Sequence, residues 1–375
     1  MNRSLLFVAL ANALWGLGEG MFFNFVPIYL DRQFTLSEYQ IGLVLGAFGF
    51  SMAITHIPAG RLADRTGRRP LLIAAWLLGL VSTLVMGLAL ALPLFLVGLF
   101  GYGLTAGVSS PLSSYVTAAR GNWPIGTVLA LTTATFGLGM ALGPITGGWI
   151  GDHYGMRVSF FVAAAIFALS NVFIFLIERQ PIDRHDPEAP PPNLMRNRRF
   201  VILLAVLAFA IFSMYLSQPL TPNFLEGVRG LSLSETGLIF TAGALGNSML
   251  ALLFSRVPPR RGFLFAQALV ILFALSIWKG TSLPVYVLGY FLLGGFRVGR
   301  PMVMAQAREL VHDSQMGMTY GVMETISAVI FILTPPLAGI LFERDPMIVY
   351  PLSIGLIVLS IAFSYFFSPR KVSHA

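Results

Sequence analysis

Apolar stretches of about 20 residues, the length that spans a bilayer as a helix, recur twelve times along this chain. Charge clusters and Gly/Pro breaks separate them. They cover roughly 5–30, 39–60, 70–91, 94–118, 125–150, 157–177, 200–225, 234–255, 262–280, 283–307, 316–341 and 347–367. The pattern predicts an all-α integral membrane protein of twelve transmembrane helices. Met1-Asn2-Arg3 leads straight into the first stretch, which is too long for a signal-peptide core and lacks a small-residue cleavage site, so it reads as a retained helix.

Lysine and arginine test this count. With the N-terminus in the cytoplasm, seventeen fall in inside segments and five in outside loops: Arg32, Arg157, Arg229, Lys279 and Arg344. That bias supports twelve spans with both termini inside, because a missed helix would invert every later loop. Composition agrees. The chain is 56% hydrophobic and 11% charged, with a mean hydropathy of +0.78, whereas soluble domains carry about 25% charged residues. The net charge of +8 is explained by topology-setting loops, not by nucleic acid. There is no cysteine, so thiol chemistry is excluded. There is also no Walker loop, nucleophile elbow or metal-ligating cluster, so the sequence points away from enzyme, cofactor and ATP-driven chemistry.

The chain repeats itself. LSEYQIGLVLGAFGFSM (36–52) matches LSETGLIFTAGALGNSM (233–249) at an offset of 197. GVSSP (107–111) faces RVGRP (297–301), and GPITGG (143–148) faces PPLAGI (335–340). Two pseudo-symmetric six-helix bundles follow, 1–177 and 200–375. The polar, Pro-rich segment 178–199 joins them as a cytoplasmic linker. Duplicated halves of this kind are a transporter signature.

Four ionisable residues sit deep in spans, where charge is costly and marks function by default: Glu19, Arg297, Arg300 and Glu324. At ~1.5 Å of rise per residue, Glu19 and Arg297 both fall near the midplane. Arg300 and Glu324 share a depth one turn toward the cytoplasm. Glu19 reads either as a structural ion pair or as a carboxylate that takes a proton or a cation. The arginines read either as anion ligands or as partners of the two glutamates, and Glu324 reads as a structural partner. His56, near the end of the second span, carries no special reading.

The loop after the second span reads GRLADRTGRRP (60–70). With the duplicated halves and central linker, it resembles the major facilitator superfamily over essentially the whole chain. The matching residues are Gly60, Leu62, Ala63, Asp64, Arg65, Gly67, Arg68 and Arg69. Gly60 suits close helix approach and Gly67 a tight turn. The resemblance implies that this loop latches the two halves on the cytoplasmic side. It also implies a cavity lined by the first, fourth, seventh and tenth helices. Those helices would present Asn12, Trp15, Glu19 and Phe22 or Phe23; Tyr215, Gln218 and Pro222; and Arg297, Arg300 and Met304. GLGMALGPITGGWIGD (137–152) sets Gly139, Gly143, Gly147 and Gly151 four residues apart around Pro144. It resembles the family's fifth-helix motif, which is typical of antiporters that expel solutes. The family's fourth-helix motif usually carries an arginine, but LVGLFGYGLTAG (96–107) has none and Leu99 stands in its place.

The leading expectation is a monomeric proton-coupled antiporter of the bacterial inner membrane. Its partners would be small amphipathic or cationic solutes, protons and lipid, with no nucleic acid. A transporter of organic anions or sugars using Arg297 and Arg300 is the alternative, and a non-transporting membrane receptor is the third.

Overall fold

A computed structural model describes residues 3–180, 197–311 and 316–368. Among them there is no strand. Twelve spans run in chain order: α1 Arg3–Phe34, α2 Glu38–Ala53 continued by His56–Thr66, α3 Arg68–Leu88, α4 Leu92–Ala118, α5 Ile125–Tyr154 and α6 Met156–Phe175. Then follow α7 Arg198–Tyr215, α8 Leu233–Phe254, α9 Pro259–Lys279, α10 Leu283–Arg308, α11 Met316–Arg344 and α12 Val349–Phe367. Most of the linker falls outside the described residues.

Two expected spans are interrupted, and proline accounts for both. Pro58 cannot donate to the carbonyl of Ile54, and its ring crowds that carbonyl; α2 breaks at Ile54–Thr55. Pro219 and Pro222 stop the seventh helix at Tyr215 instead of 225, and the chain turns before a short helical stretch at Thr221–Val228. Backbone freed inside a membrane needs partners, and side chains supply them. Thr55 Oγ1 donates to Met52 O at 2.8 Å, and Gln218 Nε2 donates to Met214 O at 2.7 Å. Thr221 Oγ1 donates to Ser217 O.

The helices form two compact units. Unit 1 gathers α1, α2 from Ala47 onward, α3 to α6, and Leu225–Thr241, which includes the start of α8. Its seam is α1 against α5. A Cβ on Gly16 or Gly20 would strike α5 backbone, and one on Gly139, Gly143 or Gly147 would strike α1 backbone. The glycine stripes are therefore what lets two helix backbones touch. Trp76 Nε1 of α3 donates to Ser170 Oγ of α6 at 2.9 Å, and Ser170 Oγ donates to Ala11 O of α1 at 2.8 Å. Asp152, in the last turn of α5, accepts from the backbone N–H of Leu233 at 3.0 Å and of Ser234 at 2.7 Å. It thereby satisfies the opening donors of α8, which have no partner within their own helix.

Unit 2 gathers Ser37–Gly46 at the start of α2, α7, α8 from Ala242, and α9 to α12. Here Glu343 of α11 accepts from the Tyr39 N–H of α2 at 3.0 Å. This is the counterpart, across the sequence repeat, of the Asp152 cap. A second correspondence lies at the basic ends. Arg69 donates to the last-turn carbonyl of Phe175 at 3.0 Å in unit 1. Arg260 donates to that of Tyr365 in unit 2. A cation at a helix C-terminus complements the dipole, and both sequence halves use the same device.

Candidate functional site

Glu19 stands on α1 beside the α5 seam, between the close-packed Gly18 and Gly20. Its carboxylate is half-buried and accepts two hydrogen bonds on the same oxygen, Oε2. One comes from Trp15 Nε1 at 3.1 Å, four residues back on the same helix face. The other comes from the Tyr102 hydroxyl of α4 at 2.8 Å. Both donors are neutral.

Aromatic rings hold these donors. Trp15 is stacked on Phe167 at 4.6 Å between centroids and on Tyr102 at 5.9 Å, and it is tilted against Trp76 at 4.9 Å. Phe22 meets Tyr102 edge-on at 5.3 Å. Gly79 of α3 makes room for the indole, since any Cβ there would collide with it. Asn12, expected beside Glu19, is used inside the bundle instead, and its Nδ2 donates to Thr132 O of α5 at 3.3 Å.

In unit 2, Arg300 and Glu324 form the ion pair that matched depths predict. The pair is not sealed: its side chains are 35% and 49% exposed. Arg297, one turn away, is exposed and makes no ion pair with a described residue of its unit. Its neighbour Phe296 and Phe331 of α11 enclose Tyr215 at 5.9 and 4.8 Å between centroids. Gln218 is bound locally at the α7 break, as described above.

The motif after α2 is partly visible. Gly67 has φ 85°, a conformation that glycine adopts without strain, and turns α2 into α3. Arg69 caps α6. The side chains of Asp64 and Arg65 lie outside the described residues. Tyr102 was not among the expected site residues. In sequence it is one aromatic in an apolar run, and only the fold brings it across 83 residues to Glu19.

The sequence model of the Major Facilitator Superfamily matches residues 8–261 and 203–375. The chain belongs to that superfamily. It is 25% identical over 364 residues to multidrug resistance protein 2 of Bacillus subtilis (strain 168), covering 92% of this chain and 90% of that protein. It is 24% identical over 349 residues to multidrug resistance protein MdtG of Proteus mirabilis (strain HI4320), covering 88% and 82%. The crystal structure of nucleoside transporter NupG superposes with a TM-score of 0.78 at 13% identity, over 98% of each chain. The superfamily fold of twelve helices and a multi-pass membrane transporter are thereby established for this protein.

Proposed function

We propose that this transporter is a proton-coupled antiporter that exports small amphipathic or cationic solutes across the bacterial inner membrane by alternating access. The observation that carries this reading is Glu19, a half-buried carboxylate in an aromatic surround, held by neutral donors. Such a group can exchange a proton for a cationic solute, and aromatic faces attract organic cations. The names of the two relatives, both multidrug resistance proteins, agree with it. In this reading the protein works as a monomer with both termini cytoplasmic. Asp64, Arg65, Arg68 and Arg69 act with Gly60 and Gly67 as the exchangeable latch of the cycle. Residues 1–177 and 200–375 are the rocking halves.

The reading is tested by reconstituting the protein in proteoliposomes and imposing a pH gradient against a panel of organic cations, nucleosides and organic anions. Gradient-driven movement of the cations alone is expected. A second reading, transport of organic anions or sugars, draws support from Arg297, which is exposed without an ion pair in its unit. Movement of the anions with the cations excluded would favour it.

A further inference from the structure

We propose that unit 2 carries a carboxylate subsite: Arg297, beside the half-exposed rings of Tyr215, Phe296 and Phe331, takes the acid group of an aromatic solute, so the cargo is a zwitterion and not a simple cation. The positive charge of that cargo rests on the reading of Glu19 above. The acid group rests on unit 2 alone.

The charges of unit 2 do not balance at this depth. Arg297 stands just past the middle of α10, with Arg300 one turn on and on the same side. Glu324 is the acid that the described part of α11 brings to this level, and Arg300 holds it. Glu309 lies past the end of α10, ~18 Å along the axis from Arg297 at the usual helix rise. Glu343 is near the far end of α11, bonded to Tyr39. Among the described residues Arg297 has no ion pair, no hydrogen bond and no ring beneath it. One guanidinium is therefore left without a counter-charge there.

α10 shows two exposed faces of opposite character. Leu288, nine residues before Arg297, is two and a half turns away at 3.6 residues per turn, so the two point in opposite directions. Leu288 is 56% exposed and gives the apolar face that lipid covers. Arg297 is exposed on the other face. A bare guanidinium in hydrocarbon is too costly to persist, so its side of α10 is one that water and a dissolved solute reach.

The rings beside it are left open as well. Tyr215 of α7 stacks on Phe296 at an interplanar angle of 20° and meets Phe331 of α11 edge-on. Phe331 in turn meets Phe296 at 6.3 Å between centroids. All three are half-buried, whereas Trp15, Phe22 and Phe167 around Glu19 are buried. Arg297 follows Phe296 directly, and its charge is felt at the Tyr215 hydroxyl, which places the guanidinium at the edge of this cluster. A planar fork of N–H donors meets a carboxylate at two points, and a partly exposed aromatic face takes an aryl group. Together they favour an aromatic acid over the corresponding ester.

The test is equilibrium dialysis of the purified full-length protein against three dyes that share one xanthene frame. Rhodamine 123 is a cation whose acid is esterified. Rhodamine 110 is the free acid and hence a zwitterion, and fluorescein carries the acid without the cation. Wild type should bind rhodamine 110 about tenfold tighter than rhodamine 123, the ratio expected of one charge-assisted contact, and tighter than fluorescein. In Arg297→Gln the two rhodamines should bind alike. Arg297→Lys, which keeps the charge and loses the fork, should restore part of the ratio. Phe331→Leu should weaken both rhodamines by the same factor, since the ring meets the aryl frame and not the acid. Should Arg297→Gln not fold, Arg297→Lys is read alone, and its ratio must fall below that of wild type. Equal binding of the two rhodamines by wild type would overturn the subsite, as would a preference for rhodamine 110 that survives in Arg297→Gln. Fluorescein bound as tightly as rhodamine 110 would overturn the zwitterion assignment through its cationic half. Dialysis uses no pH gradient, so each of these results is read independently of proton coupling at Glu19.

Discussion

Adding one methyl group at Gly143 should destabilise the protein more than any surface change. A Cβ there would lie 2.6 Å from Gly20 Cα and 2.6 Å from Leu17 O. Both are backbone atoms of α1, so no side chain can move aside. Ordinary contact begins near 3.4 Å, and reaching it requires α1 and α5 to separate by about 1 Å, the scale on which overpacked cores lose 1–3 kcal/mol. The separation also loosens the contacts at Gly16, Gly139 and Gly147, so Gly143→Ala should cost about 2–3 kcal/mol, the upper part of that range. Gly355→Ala is the matched control. It sits inside α12 with nothing within 4 Å of its would-be Cβ, and replacing a helical glycine gains up to about 1 kcal/mol. Denaturant unfolding of the purified protein in detergent should place Gly143→Ala well below wild type and Gly355→Ala level with it or above. Equal stability for Gly143→Ala and wild type would refute the backbone-on-backbone seam. Because Glu19 neighbours Gly20, the same displacement should pull its carboxylate away from Tyr102 and lower export.

Other predictions follow from polar contacts. Arg300 and Glu324 are exposed enough to be screened, so their coupling should be about 0.5–1 kcal/mol and not the several kcal/mol of a sealed pair. A double-mutant cycle of Arg300→Ala and Glu324→Ala should return that value, and strict additivity would show that the two do not interact. Asp152→Ala removes both acceptors at the start of α8, a cap worth about 1 kcal/mol. Labelling of a Thr236→Cys reporter by a polar maleimide should then rise about fivefold, the factor that about 1 kcal/mol represents, and the cysteine-free chain makes that reporter unambiguous. Unchanged labelling would mean that the cap does not hold the first turn of α8.

The spans were legible because lipid demands about 20 apolar residues whatever the tertiary context. Even the two interruptions had a readable signal, since Pro58, Pro219 and Pro222 each remove a helical donor. Glycine spacing on α5 announced a close contact but not its partner, and α1 became that partner through Gly16 and Gly20. Depth reasoning found the Arg300–Glu324 pair because helix rise is constant. It could not separate Arg297 from Arg300, whose surroundings depend on helix rotation. Tyr102 and the Asp152 and Glu343 caps were hidden for one reason: each depends on a contact between helices distant in sequence. Asn12 shares the Glu19 face in sequence, yet α5 claims it, because packing decides which polar group on a stripe reaches the site.

The role of Glu19 is tested most directly by Glu19→Gln in proteoliposomes, which preserves side-chain shape and removes the titratable proton. A pH gradient should then fail to drive ethidium movement, while the purified variant melts close to wild type. Gradient-driven transport at the wild-type rate would contradict the assignment of Glu19 as the coupling carboxylate.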